Sequence, residues 1–277
     1  MNACSRTLLA FRVVQAATLV ALLWKVAFFV DAAKLYYEVP LRQPFFPAFF
    51  QSALTFASGY TAAVLGIGLM LIARGPRLRQ VISWLTLIAL SVLCLHQGAY
   101  NDATFTTAWW TTLWSAWFAG RMRIDDESLL YRGARLSQAI LTTILLGGAV
   151  GKWTGEYWSG QVFYEIYFIE RDFWLFNLLR ARFEPERLGE IATWYARGVI
   201  GVESVCGLTL WALPRRVAAV ISLLVLPSIA IFSSFYLFSV VLSLMGLAAV
   251  GLLVPADAQR TSAGSEAREN PTTARCD

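Results

Sequence analysis

The chain has 277 residues, of which 57% are hydrophobic and only 15% are charged. An average soluble domain carries roughly 45–50% apolar and about 25% charged residues, so a soluble fold of this composition would lack the polar surface to cover its core. Basic residues exceed acidic ones, for a net charge of +5. They occur in short groups between apolar runs, which is typical of membrane topology and not of nucleic-acid binding. The four cysteines have no metal-binding spacing. The composition therefore predicts an all-α integral membrane protein embedded in a lipid bilayer.

Apolar runs of about 20 residues, the length that crosses a bilayer as a helix, predict about eight transmembrane spans. The last two come from a single run, residues 217–254, that contains no charged residue. A continuous helix of that length would measure about 57 Å, nearly twice the roughly 30 Å hydrocarbon layer. We therefore expect it to break at Pro227 or at Ser233 and Ser234. The other six predicted spans are residues 8–30, 50–73, 81–99, 104–120, 136–152 and 191–213.

Arginines between the spans predict the orientation of the bundle. If the spans alternate in direction, the connections after the second, fourth and sixth spans lie on one side of the membrane. Because cytoplasmic loops are enriched in Lys and Arg, both termini are predicted to be cytoplasmic, in what we expect to be a bacterial inner membrane. We expect one bundle over residues 1–255 and a disordered cytoplasmic tail over residues 256–277. The arginines concerned are Arg74, Arg77, Arg79, Arg121, Arg123, Arg132, Arg135, Arg215 and Arg216.

An aromatic-rich segment, residues 153–190, separates the fifth and sixth predicted spans. Aromatic side chains favour the headgroup region of a bilayer. We therefore expect an interfacial helical segment that lies along the outer surface of the membrane. An aromatic belt with no further role is the simpler interpretation of the same pattern.

Two ionisable residues in the spans are candidates for function, because a charge inside a bilayer is costly. Lys152 follows a stretch of small residues at the end of the fifth span, where a partly desolvated amine could act as a base. Glu203 lies about three turns into the sixth span, so it should pair with a base or stay protonated. A lysine that only reaches the interface and a purely structural ion pair remain open alternatives. Arg12, Lys25 and Arg197 lie near enough to span ends to reach water.

The chain's one histidine, His96, lies near the outer end of the third span and precedes Asn101 and Asp102. In the alternating topology this polar cluster shares its membrane level with Lys152. These residues and Glu203 could converge on one outward-facing pocket. The alternative is a histidine that only forms hydrogen bonds within the bundle, and one histidine alone cannot form a metal site.

Small residues lead up to Lys152, and Trp153, the aromatic pair Tyr157 and Trp158, and then Gly160 follow it. This pattern resembles the vitamin K-dependent gamma-carboxylase superfamily and its HTTM (horizontally transferred transmembrane) relatives, which are multi-span membrane proteins. The resemblance implies that Lys152 deprotonates a reduced quinone, which makes a reduced quinone the expected cofactor. Trp153 and Gly160 then belong to the binding region.

The match to the carboxylases is incomplete. Their Asn-Asn-His motif corresponds here to a stretch that keeps Asn101 but has Ala103 in the histidine position. The large lumenal domain that docks their protein substrate has no counterpart in this sequence. We therefore expect a quinone- or lipid-linked function around Lys152 and not glutamate carboxylation.

Other functions are compatible with the sequence. A DoxX-like membrane subunit, which serves a partner oxidoreductase, also has a Gly-Lys pair near a helix end. A transporter is less well supported, because no internal repeat is evident. A non-enzymatic structural membrane protein needs only that each intramembrane charge has a partner.

Overall fold

A computed structural model describes residues 3–39, 47–96, 103–122, 127–232 and 234–255. These residues form helices and turns and contain no β-strand, as predicted. The predicted tail, residues 256–277, lies outside the described residues. The longer helices are α1 Ala3–Trp24, α2 Val26–Glu38, α3 Ala53–Ile72, α4 Pro76–Leu95, α5 Ala103–Ala119, α6 Glu127–Gly151, α9 Pro185–Ala212, α10 Arg215–Phe232 and α11 Phe238–Val250. The segment between α6 and α9 contains α7 Gly155–Trp158, a π-helix Phe163–Glu170 and α8 Trp174–Arg182, and short 3₁₀ turns occupy Ala48–Phe50, Phe235–Leu237 and Gly251–Leu253.

Five helices among the described residues are long and apolar enough to cross a membrane. This confirms an all-helical protein with five candidate membrane-spanning helices, while the count of eight spans stays a prediction. Two other helices in the predicted spans are shorter, α5 with 17 residues and α11 with 13. A third helix in the predicted spans, α9, is longer but carries the charged residues Arg197 and Glu203 along its length. The five stretches are Ser5–Trp24, Ala53–Ile72, Pro76–Leu95, Ser128–Gly151 and Arg215–Phe232.

One helix break was not predicted, and the expected break in residues 217–254 occurs next to Ser234 and not at Pro227. The first span was expected to be continuous over residues 8–30, but the helix is interrupted at Lys25 and restarts as α2. The Lys25 side chain is buried, with its Nζ atom 5.0 Å from the ring centre of Phe28. Pro227 was one of two expected break points, but α10 continues through it and ends at Phe232. A proline within a helix in lipid is tolerated where neighbouring groups satisfy the backbone.

Close helix contacts and hydrogen bonds between helices hold the main core together. α1 packs against α11, α5 and α3, so it lies inside the bundle. The hydroxyl of Thr18 in α1 hydrogen bonds to that of Thr111 in α5 at 3.0 Å. Thr104 and Ser239 join α5 to α11 at 2.8 Å. Such polar contacts stabilise helix pairs where apolar burial alone gives little gain, as in a bilayer.

A second hydrophobic core lies against the first half of α9. The 28 residues of α9 correspond to a length of about 42 Å, which exceeds the roughly 30 Å hydrocarbon layer. The aromatic segment is helical, as predicted, but it is divided into short pieces, and four of its phenylalanines are buried against α9. Its position at the interface stays a prediction. The buried residues of this core, which we call the aromatic layer, are Phe163, Phe168, Phe173, Phe176, Leu188, Ala192 and Ala196.

The contact between α1 and α11 allows a test of the main core. A Cβ atom added at Gly246 would lie 2.7 Å from the Cβ of Ala17 and 3.3 Å from the Cα of Val14. We predict that Gly246→Val lowers the free energy of unfolding by about 1–3 kcal/mol, the usual cost of overpacking. Gly68→Val is the control, because a Cβ at Gly68 meets nothing within 4 Å. Unfolding in a fixed detergent measures both variants, and equal stability of the two would contradict the packing of α1 on α11.

Candidate functional site around Lys152 and Glu203

An ion pair joins the end of α6 to the middle of α9. The Nζ atom of Lys152 donates to both carboxylate oxygens of Glu203, at 2.9 and 2.7 Å, and to the carbonyl oxygen of Gly148 at 3.2 Å. The side chains of Lys152 and Glu203 are only 25% and 11% exposed. The structure therefore brings together two of the three residues that the sequence proposed as catalytic.

Glycines on α6 and α9 make room for this pair. A Cβ atom at Gly148 would lie 3.3 Å from the Oε2 atom of Glu203, and one at Gly207 would lie 2.7 Å from the Cδ2 atom of Leu146. By contrast, a Cβ at Gly147 or Gly151 would meet nothing within 4 Å. Of the small residues before Lys152, Gly148 is thus the one whose missing side chain admits the carboxylate.

A cleft of about 310 Å³ opens between α9 and α10 on the other side of Glu203. Its lining is mostly apolar, and Glu203 is the charged residue in it. Glu203 lines this cleft and Lys152 does not, so the cleft is not the predicted pocket around Lys152. The lining residues are Tyr195, Gly198, Val199, Val202, Glu203, Ser228, Ile229 and Phe232.

Side chains from α8 and α9 bind the C-terminal end of α10 next to the cleft. The hydroxyl of Tyr195 donates to the carbonyl oxygen of Phe232. The Nε1 atom of Trp174 donates to that of Ile231 at 3.2 Å. The last carbonyls of a helix have no partner within the helix, so these two donors fix the end of α10 against the aromatic layer.

The turn after Lys152 docks on the backbone of α9. Gly160 has a φ angle of +83°, and a Cβ atom there would lie 2.5 Å from the backbone N and Cα atoms of Thr193. The hydroxyl of Thr193 donates to the carbonyl oxygen of Ser159 at 2.7 Å. Gly160 thus has a packing role, since only glycine allows both this φ and this approach. Trp153, also proposed for binding, is 69% exposed.

His96 lies in a separate aromatic cluster. Its ring meets the rings of Tyr36 and Phe56 edge-on, each at 5.2 Å between centres. Its Nε2 atom is buried without a hydrogen-bond partner among the described residues. Asn101 and Asp102, which were expected beside it, lie outside the described residues. The structure therefore places His96 with α2 and α3 and not at the ion pair.

Tyr167 lies on the π-helix Phe163–Glu170 and packs against the aromatic layer. Burial raises the pKa of its phenol, Arg171 beside it opposes that rise, and Tyr157 and Glu203 add to it. The phenol is therefore protonated at neutral pH.

Sequence reasoning missed the residues of α9 that line the cleft. Tyr195, Val199 and Val202 recur at intervals of four and three residues, so they share one helix face with Glu203. This spacing was visible in the sequence. The contribution of Ser228 and Phe232 was not, because nothing in the periodicity of α10 shows which helix it faces.

No family model, curated protein or solved structure matches this chain. Membership of the HTTM superfamily therefore stays a prediction.

The ion pair predicts a specific pattern of stability. Glu203→Gln or Lys152→Met leaves one partner unpaired in a site largely hidden from water. Loss of one partner of a fully buried pair costs about 3–5 kcal/mol. Because both side chains are partly exposed, we expect about 1–3 kcal/mol for each variant. The double variant should cost less than the sum of the two.

Chemical unfolding of the four proteins in one detergent measures this coupling. The Arg187 and Glu190 pair on the same helix is the control. Its side chains are 65% and 62% exposed, so Arg187→Met and Glu190→Gln should each cost under about 1 kcal/mol. Strictly additive effects of the Lys152 and Glu203 variants would show that the two residues do not interact.

A second prediction concerns the docked turn. Gly160→Ala should destabilise the protein by about 1–3 kcal/mol, because alanine disfavours a positive φ and its Cβ would clash with Thr193. Gly155→Ala is the control, since a Cβ at Gly155 has nothing within 4 Å. Thermal unfolding and the rate of proteolysis of residues 153–190 measure the effect. Equal behaviour of the two variants would contradict the docking of this turn on α9.

Proposed function

We propose that this chain is an HTTM-like membrane protein that binds a lipid-soluble molecule of the quinone or lipid class in the cleft between α9 and α10. The observation that carries the proposal is the cleft itself, which has an apolar lining and one ion-paired carboxylate. Ligand pockets usually have volumes of about 300–1,000 Å³ and a few placed polar groups. The cleft meets this description at its lower limit.

The proposed topology has eight spans with both termini in the cytoplasm of a bacterial inner membrane. The eight spans are the five long apolar helices together with α5, α9 and α11. In this arrangement the ion pair and the cleft lie in the outer half of the membrane, below the aromatic layer. The exposure of Val202 and Phe232 at the rim of the cleft supports entry of a ligand sideways from the lipid.

The chemistry of the site favours a ligand with an apolar body and a hydroxyl or carbonyl head. Val199, Val202 and Ile229 offer surface for a ring or chain. The carboxylate of Glu203 can accept a hydrogen bond from a hydroxyl group, such as that of a reduced quinone. The Nζ atom of Lys152, 2.7 Å from this carboxylate, holds it in place by hydrogen bonding.

The proposal changes the role that the family resemblance implies for Lys152. In the ion pair Lys152 is an ammonium group that donates to Glu203 and to Gly148, so it has no lone pair with which to take a proton from a quinol. Glu203 is the group that faces the cleft. We therefore propose that Glu203 contacts the ligand and that Lys152 positions the carboxylate of Glu203.

A matched pair of variants tests the cleft as the binding site. Val202 lines it, whereas Val205 is exposed on the same helix and does not. We expect Val202→Phe to weaken binding of a short-chain benzoquinone at least about fivefold, because the added ring occupies the cleft. Val205→Phe should leave binding unchanged. Quenching of tryptophan fluorescence on titration of the quinone measures the affinity.

Two results would contradict this function. One is the absence of saturable quinone binding and of co-purified quinone or lipid in the wild-type protein. The other is an equal effect of Val202→Phe and Val205→Phe.

A further variant, Glu203→Gln, keeps the shape of the side chain but removes its charge. It should weaken binding of a quinol more than binding of the corresponding quinone.

A further inference from the structure

Two arginines meet at the end of the bundle opposite the ion pair. Arg135 lies 17 residues before Lys152, which is about 25 Å along the axis of α6. The Nη1 atoms of Arg135 and Arg215 both contact the Oε1 atom of Gln138, at 3.4 and 2.9 Å. Because they contact the same atom, the two nitrogens lie within about 6 Å of each other. Two positive charges are thus held side by side.

Buried polar contacts hold these side chains in place. Gln138 is buried, and its Nε2 atom donates to the carbonyl oxygens of Leu210 and, at 2.9 Å, of Leu213. Arg215 also donates to the hydroxyl of Tyr131 at 3.1 Å. Its Nε atom is buried and has no partner among the described residues. The guanidinium of Arg215 is therefore fixed by contacts on more than one side.

Arg135 is held at the surface by a ring and a backbone oxygen. Its guanidinium lies 3.7 Å from the ring centre of Trp211, and its Nη1 atom donates to the carbonyl oxygen of the same residue at 2.8 Å. Trp211 is half-exposed, at the membrane level where tryptophan is common. The hydrogen bonds of Arg135 to described residues use its Nη1 atom, so within that part of the chain its Nη2 and Nε atoms are available to another acceptor.

The acceptors within this cluster do not balance its charge. Those that the described residues offer to Arg135 and Arg215 are an amide, a phenol and backbone carbonyls, all neutral. The carbonyls at the end of α9 supply roughly half a negative charge. Capping of that helix end therefore accounts for only part of a double positive charge. An anion with two or more oxygens would supply the rest and would match the forked geometry of arginine.

We propose that Arg135 and Arg215 bind the phosphate of an anionic phospholipid at this end of the bundle. Basic pockets between spans on the cytoplasmic side are suited to such headgroups. The lipid chains would lie along the exposed apolar surface beside Trp211. Free phosphate offers the same oxygens, so the experiment separates the two sources. This site is independent of the cleft, and loss of one does not imply loss of the other.

The test uses the full-length protein in dodecyl maltoside with added phosphatidylglycerol or phosphatidylcholine, at equal ionic strength. Phosphatidylglycerol should raise the thermal unfolding midpoint saturably, and phosphatidylcholine should not. Arg135→Gln should weaken phosphatidylglycerol binding about tenfold, the value of one strong charge-assisted hydrogen bond. Arg135→Lys should show a smaller loss, because it keeps the charge and loses the fork.

Arg132→Gln is the matched control, since Arg132 lies on the same helix and is exposed. It removes the same charge from the same end and should leave the affinity unchanged. Equal loss in Arg132→Gln and Arg135→Gln, or equal effects of the two lipids, would overturn the proposal. A shift of the same size with inorganic phosphate alone would assign the site to free phosphate and overturn the lipid as its ligand.

Discussion

The close contact between α6 and α9 is the interaction on which most other features depend. The ion pair of Lys152 and Glu203 lies where two glycines let α6 and α9 approach, since Gly148 faces the carboxylate and Gly207 faces Leu146. Each charge would be costly in lipid on its own. Paired, they set which face of α9 packs against α6 and hence which face lines the cleft. The same helix carries the aromatic layer on its first half and meets Arg135 at its last turn.

The sequence predicted the class of the protein and the approximate position of its helices, because both follow from apolar run length. α3, α4 and α5 lie within a few residues of the predicted spans. The start of α9 was misjudged by six residues, since Pro185 begins the helix in a charged stretch outside the apolar run. The break at Lys25 was not predicted, because a single lysine that can reach the interface is compatible with a continuous helix.

The candidate site was predicted in part. Lys152 and Glu203 were predicted as functional residues because an unpaired charge inside a bilayer is unfavourable in free energy. That argument holds without knowledge of the fold. His96 was grouped with them by membrane depth alone. Depth gives a level in the bilayer but not a position within it, and the helix order places His96 beside Tyr36 and Phe56. The role of Gly160 was likewise invisible, since it depends on the backbone of Thr193.

The continuous length of α9 has a mechanical consequence. A helix of 28 residues behaves as a stiff rod over its roughly 42 Å, and its first half carries the aromatic layer. Any rotation of α9 about its own axis at the depth of Glu203 turns that layer through the same angle. A rotation of α9 caused by a ligand in the cleft would therefore also move the aromatic layer, because one rigid helix carries both.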